Sequence, residues 1–101
     1  MLLAIDIGNT NILYGLYDRA AGVWRCSFRA QTVHLRMADE YAVLLRSFLA
    51  EAGFTFADIE AVVMASVVPA LTQPFIDLCE RYLRQTPLNV RSGVTNAGIQ
   101  V

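Results

Sequence analysis

The spacing of apolar residues first changes character near residue 40, from strands to helices alternating with strands, and that change limits the folds open to this chain. Leu2 to Ile7 is a short apolar run that predicts a buried strand, ended by Gly8 and Asn9. Asn11 to Tyr17 alternates Ile12, Tyr14 and Leu16 with Leu13, Gly15 and Tyr17, predicting a second strand that is apolar on both faces. Asp18 to Gly22 connects it to a third strand, Val23 to Arg29, which carries Val23, Trp24, Cys26 and Phe28. Strands that follow one another through such short turns pair as antiparallel neighbours.

The second half obeys a helical period. Tyr41, Leu44, Leu45, Phe48 and Leu49 share one helix face, and Gly53 stops the helix. Ile59 to Val68, rich in valine, predicts a buried strand. Leu71, Phe75, Leu78, Cys79, Tyr82 and Leu83 return to helical spacing, with Thr72 as the cap and Pro74 early in the helix. A short strand at Leu88 to Val90 closes an α/β order of β-β-β-α-β-α-β. That is the layout of the ribonuclease-H-like domain of the actin, Hsp70 and sugar-kinase ATPases. Trp24 and the phenylalanines are expected in the core. The two helical faces are expected to exceed what one small sheet buries, leaving apolar surface for a partner.

Composition narrows the function. A length of 101 residues suits a single domain, and 55% hydrophobic with 17% charged residues argues against disorder. A net charge of −1 with scattered arginines offers no clustered positive surface, so nucleic acid is not an expected partner. The chain has no lysine, which excludes a Walker-type phosphate loop. Cys26 and Cys79 stand far apart and His34 is the lone histidine, so no metal cluster is expected from them. Asp6 interrupts the apolar start, and no run approaches the roughly 20 residues of a membrane span. A cytoplasmic, soluble unit is expected.

The segment Asp6-Ile7-Gly8-Asn9-Thr10-Asn11 bears the chemistry. Gly8 has no Cβ to hold a ligand away from the backbone. Asn9, Thr10 and Asn11 offer N–H, hydroxyl and amide donors without adding charge, as a phosphate cradle requires. Asp6 at the strand's carboxyl end can hold Mg²⁺ through water, and the metal then meets the phosphate oxygens. A polar hairpin turn uses the same residues. An acid closing an apolar strand, then Gly and three small polar residues before a second strand, favours the cradle.

The stretch "LAIDIGNTNILYGLYD" closely resembles the opening of the type III pantothenate kinases, also called the Bvg accessory factor family. Arg29 and Thr32 sit as that family's Arg-x-x-Thr does, and Asp39-Glu40 as its Asp-Glu. Ala65 to Leu71 matches its Ser-Val-Val-Pro segment, and Ser92-Gly93-Val94 with Gly98-Ile99 the stretch approaching the substrate. The resemblance implies an actin-like kinase that phosphorylates pantothenate with ATP, and a homodimer. It further implies that Asp6, Ile7, Gly8, Asn9, Thr10, Asn11, Ile12 and Leu13 bind ATP, with Asp6 the Mg²⁺ residue. Family members are much longer. Their Gly-Ala-Asp-Arg motif with the catalytic base, their site for a monovalent cation (K⁺ or NH₄⁺) and their second domain are expected beyond Val101. Residues 1–101 thus correspond to a single N-terminal phosphate-binding domain without a catalytic residue of its own.

Other residues carry less. Asp39 and Glu40 are adjacent, as acids favoured in a first helical turn are. His34 has no Ser or Cys partner. Ser66 lacks a Gly-x-Ser-x-Gly elbow and reads as a strand-to-helix turn bordering the site. A non-catalytic nucleotide-binding accessory module is the alternative function. A two-metal nuclease of the same fold would need several converging acids, and only Asp6 closes a central strand.

Overall fold

In the computed structural model, which describes residues 1–90, alternation along Leu2–Ile7 (β1) sends Leu3, Ile5 and Ile7 to one face of a sheet. Leu2, Ala4 and Asp6 face the other way. Asn11–Asp18 (β2) lies antiparallel to β1, with Ala4 opposite Gly15 and Asp6 opposite Leu13. Val23–Gln31 (β3) pairs antiparallel with β2 and bulges between Leu16 and Tyr17. Ala61–Ser66 (β4) runs parallel to β1 on its other side, and Leu88–Val90 (β5) parallel to β4. The spatial order is β3-β2-β1-β4-β5. The carboxyl ends of β1, β4 and β5 therefore share one edge, where β2 begins and β3 ends.

Two helices, Ala38–Glu51 (α1) and Pro69–Leu78 (α2), cover one face of this sheet. The Tyr14 ring lies under both, with centroids 6.1 Å from Phe48 of α1 and 6.4 Å from Phe75 of α2. Tyr41, Leu45 and Leu49 of α1 and Leu71, Phe75 and Leu78 of α2 have no accessible surface. Each such side chain contributes about 1.5–3 kcal/mol on burial. The helical faces are thus largely used, contrary to the expectation that they outgrow the sheet. Leu44, Phe48 and Tyr82 pack partly buried against the same core.

Apolar surface is left open at Leu35, Met37 and Val43 in and before α1, and also on the opposite face of the sheet. Trp24, expected in the core, is 55% exposed there, and Leu13 and Val67 are exposed as well. β2 is apolar on both faces, as its alternation predicts, but only Ile12, Tyr14 and Leu16 find cover.

Several boundaries differ from expectation: β2 runs on to Asp18 and β3 to Gln31 rather than Arg29, and α2 and β4 shift as well. Pro69, not the Thr72 cap, begins α2, because its fixed φ suits the first helical turn. Pro74 then sits inside the helix, where its missing N–H leaves the exposed Ala70 carbonyl to water. Helical hydrogen bonding widens into one π turn at Cys79–Leu83, closed by Arg84 in the left-handed region at φ 57°. β4 is shorter than Ile59–Val68. A 3₁₀ turn at Phe56–Asp58 precedes it, and Val68 caps α2 after it.

Candidate phosphate-binding site

The loop from Gly8 to Thr10 joins β1 to β2 at the shared carboxyl edge, the place where open α/β sheets take their ligands. It is the two-residue connection of a hairpin, with Asn9 and Thr10 between Gly8 and Asn11. Only half of the usual closing pair is made. The Gly8 N–H donates to the Asn11 carbonyl at 3.0 Å, and the reciprocal bond from the Asn11 N–H to the Gly8 carbonyl is not formed. That carbonyl accepts instead from the Thr32 hydroxyl at 2.7 Å, while the Thr32 N–H donates to the Thr10 carbonyl at 2.9 Å. The N–H groups of Asn9 and Thr10 find no acceptor among the described residues, and both residues are exposed. A Cβ on Gly8 would lie 3.0 Å from the Asn11 carbonyl oxygen. A side chain here would make the Asn11 carbonyl give way by a few tenths of an ångström, so glycine lets the loop close without that shift.

Asp6 projects from the end of β1 onto the uncovered face, exposed and without a hydrogen-bond or ion-pair partner among the described residues. It lines an open-sided cavity of about 870 Å³ with Gly15, Trp24, Arg29, Ala65 and Val67. Arg29 lies opposite Leu13, which lies opposite Asp6, so the two charges share a face two strands apart. Strand spacing puts their backbones about 10 Å apart. Arg29 makes no salt bridge among the described residues, whereas Arg19, Arg25 and Arg81 pair with Glu60, Asp18 and Asp39. Those partners hold Glu60 and Asp18 below the usual carboxylate range.

The expected site residues divide by strand parity. Gly8, Asn9, Thr10 and Asn11 form the loop and its exit, with Asp6 and Leu13 on the open face beside it. Ile7 and Ile12 point the other way, fully buried under the helices, so only their backbones border the loop. Ser66 ends β4 beside Ile7 and is committed to the turn. Its hydroxyl donates to the Val68 carbonyl and accepts from the Val68 N–H and the Thr72 hydroxyl, each at 3.1 Å. Asp39 accepts from the Tyr82 hydroxyl at 2.6 Å and the Arg81 guanidinium at 2.8 Å, tying α1 to the turn after α2. The Tyr82 bond, then Arg81, lower its pKa. Glu40 accepts the Met37 N–H at the start of α1. Burial pushes the Cys79 thiol up to about 12, which makes it inert. His34 is exposed in the β3–α1 connection, and Ser92, Gly93, Val94, Gly98 and Ile99 lie outside the described residues.

A divalent cation fits this donor set in one way. Among the described residues no three His, Cys, Asp or Glu side chains converge, so those residues build no metal cage. A single exposed carboxylate beside free backbone N–H groups suits Mg²⁺ held mainly by phosphate oxygens and water. It does not suit the several acids of a two-metal nuclease.

A family model described as type III pantothenate kinase matches residues 2–101. The chain belongs to that family. Proteins named type III pantothenate kinase from Anaeromyxobacter sp. (strain K) and Shouchella clausii are 48% and 45% identical to it over 94 residues, 93% of this chain. One from Rhodospirillum centenum is 42% identical over all 101 residues. The chain spans only 36–38% of the length of these kinases. Sequence reasoning placed Thr32 in register with the family and missed its bonds to the loop. Those bonds follow from the register that pairs Asn11 with Gln31, which places Thr32 beside the loop and which the sequence does not display.

Proposed function

We propose that the full-length protein transfers the γ-phosphoryl group of ATP to the hydroxyl of pantothenate in the cytoplasm, opening the route to coenzyme A. Residues 1–101 are its N-terminal phosphate-binding domain, of the ribonuclease-H-like, actin-like ATPase class. The observation that carries this reading is the pair of unsatisfied N–H groups at Asn9 and Thr10, next to an unpartnered Asp6 at the carboxyl edge of the sheet. Family membership supports it.

Phosphoryl transfer asks a protein mostly for positioning and charge neutralisation. The loop N–H groups donate to phosphate oxygens, and the Asn9, Thr10 and Asn11 side chains add neutral donors. Asp6 orients water around Mg²⁺, which when bound spreads the charge of the phosphates. The group that deprotonates the pantothenate hydroxyl, the K⁺ or NH₄⁺ site and the second wall of the cleft belong to sequence beyond Val101. The assembly is a homodimer, and residues 1–101 alone do not phosphorylate pantothenate. The test incubates the full-length protein with ATP, Mg²⁺, K⁺ and pantothenate and measures 4'-phosphopantothenate against ADP. One product per ADP is expected. Nucleotide binding without turnover would overturn the reading in favour of an accessory module.

A further inference from the structure

We propose that Thr32 is a positioning residue that keeps the phosphate loop open by drawing towards itself the carbonyl with which the loop would otherwise close. In a two-residue hairpin connection the residue after the loop donates its N–H to the carbonyl of the residue before it. Here that would be Asn11 to Gly8, and it is the bond that is missing. The Thr32 hydroxyl takes the Gly8 carbonyl at 2.7 Å, reaching across from just past the end of β3.

Peptide planarity gives this bond a consequence at the ligand. In a trans peptide the carbonyl of one residue and the N–H of the next point in opposite directions. Fixing the Gly8 carbonyl towards Thr32 therefore turns the Asn9 N–H away from Thr32. The second bond, from the Thr32 N–H to the Thr10 carbonyl at 2.9 Å, aims the Asn11 N–H in the same manner. One residue thus orients the peptide units on either side of the Asn9–Thr10 peptide and leaves the Asn9 and Asn11 N–H groups free for an anion. Thr32 is itself held, because the Tyr41 hydroxyl donates to the Val33 carbonyl at 2.8 Å and accepts the Val33 N–H at 3.0 Å. Helix α1 thereby anchors the segment that anchors the loop.

The inference rests on the reading of this loop as an ATP phosphate site, and its test separates the two. Thr32→Val keeps the branched shape and removes the hydroxyl; Thr32→Ser keeps the hydroxyl. Both are made in the full-length protein and compared by titration with ATP and Mg²⁺, by amide hydrogen exchange over residues 8–11, and by KM for pantothenate. T32V is expected to weaken ATP binding at least tenfold and to slow exchange at Asn11 as the hairpin closes. KM for pantothenate should stay within about threefold, and T32S should match the wild type within about threefold in every measurement. Wild-type protein that binds no ATP defeats the site reading, while the exchange comparison still decides the role of Thr32. If T32V binds ATP like the wild type, or exchange at Asn11 is unchanged, or T32S loses as much as T32V, Thr32 is not a positioning residue.

Discussion

Removing the hydroxyl of Tyr14 should make the protein more stable. Its side chain is 1% exposed under α1 and α2, and its oxygen has no hydrogen-bond partner among the described residues. That burial raises its pKa above the ordinary tyrosine value. A hydroxyl taken from water and left unpaired costs about 1–3 kcal/mol. Tyr14→Phe retains the ring contacts with Phe48 and Phe75 and leaves a void of about one oxygen atom, worth under about 1 kcal/mol. The balance is a gain of about 1 kcal/mol, or roughly 4–8 °C in Tm for a domain of this size. Urea unfolding of wild type and Y14F, with equal slopes against denaturant, measures it. Tyr41→Phe is the control, since the Tyr41 hydroxyl makes two bonds to Val33, and its removal should cost about 1–2 kcal/mol. The same chemical change should give opposite signs at two neighbouring rings. A Y14F variant less stable than wild type by about 1 kcal/mol would refute the argument and give Tyr14 a hydrogen-bond partner.

Asp6→Asn in the full-length protein should lower kcat at least about 100-fold, the scale of a lost charge-stabilising group. Stability should move by less than about 0.5 kcal/mol, since Asp6 bonds to nothing described; kcat within threefold of wild type would remove it from the mechanism. Gly8→Val should reduce ATP affinity far more than Tm, because the strain falls on an exposed loop against the Asn11 carbonyl; proportionate losses would make Gly8 a turn residue only. Asp39→Asn should be less stable than wild type at pH 7. Because the Tyr82 and Arg81 contacts lower the folded pKa of Asp39, that deficit is complete above the ordinary carboxylate value, about 4, and closes as pH falls through the folded value. A deficit independent of pH between 2 and 7 would mean that the carboxylate charge plays no part.

Much of the architecture was legible because β1, β2 and α1 advertise themselves through period alone. Leu3, Ile5 and Ile7 at every second position, and Tyr41, Leu45 and Leu49 at helical spacing, allow few other placements. The start of α2 was less legible, since Pro69 and Pro74 are both compatible with a first turn and packing of Leu71 decides between them. Trp24 was misplaced for a reason internal to such reading. Apolar character says that a residue prefers cover, and the sheet's second face has none among the described residues for it to find. At the site, Asp6 and the Gly8–Asn11 loop were readable as residue types at a strand end. The direction of each peptide unit was not, because it depends on Thr32, twenty-four positions away from Gly8. Parity also divides the expected site residues, taking the side chains of Ile7 and Ile12 into the core.

Trp24 gives the uncovered face an optical consequence. It is the single tryptophan of the chain, and Gly15 lies so close beneath its ring that a Cβ there would stand 2.7 Å from Cζ3. Tyr17 meets the ring edge-on at a centroid distance of 5.0 Å. A half-hydrated indole emits at long wavelength, and anything laid over this face strips water from it and moves the emission to the blue. Tyr17 sits near enough to pass its excitation to the same ring, adding a second handle at shorter excitation wavelengths. The chain therefore carries its own fluorescent label on the face that holds Asp6, and occupancy of that face can be followed without attaching a dye.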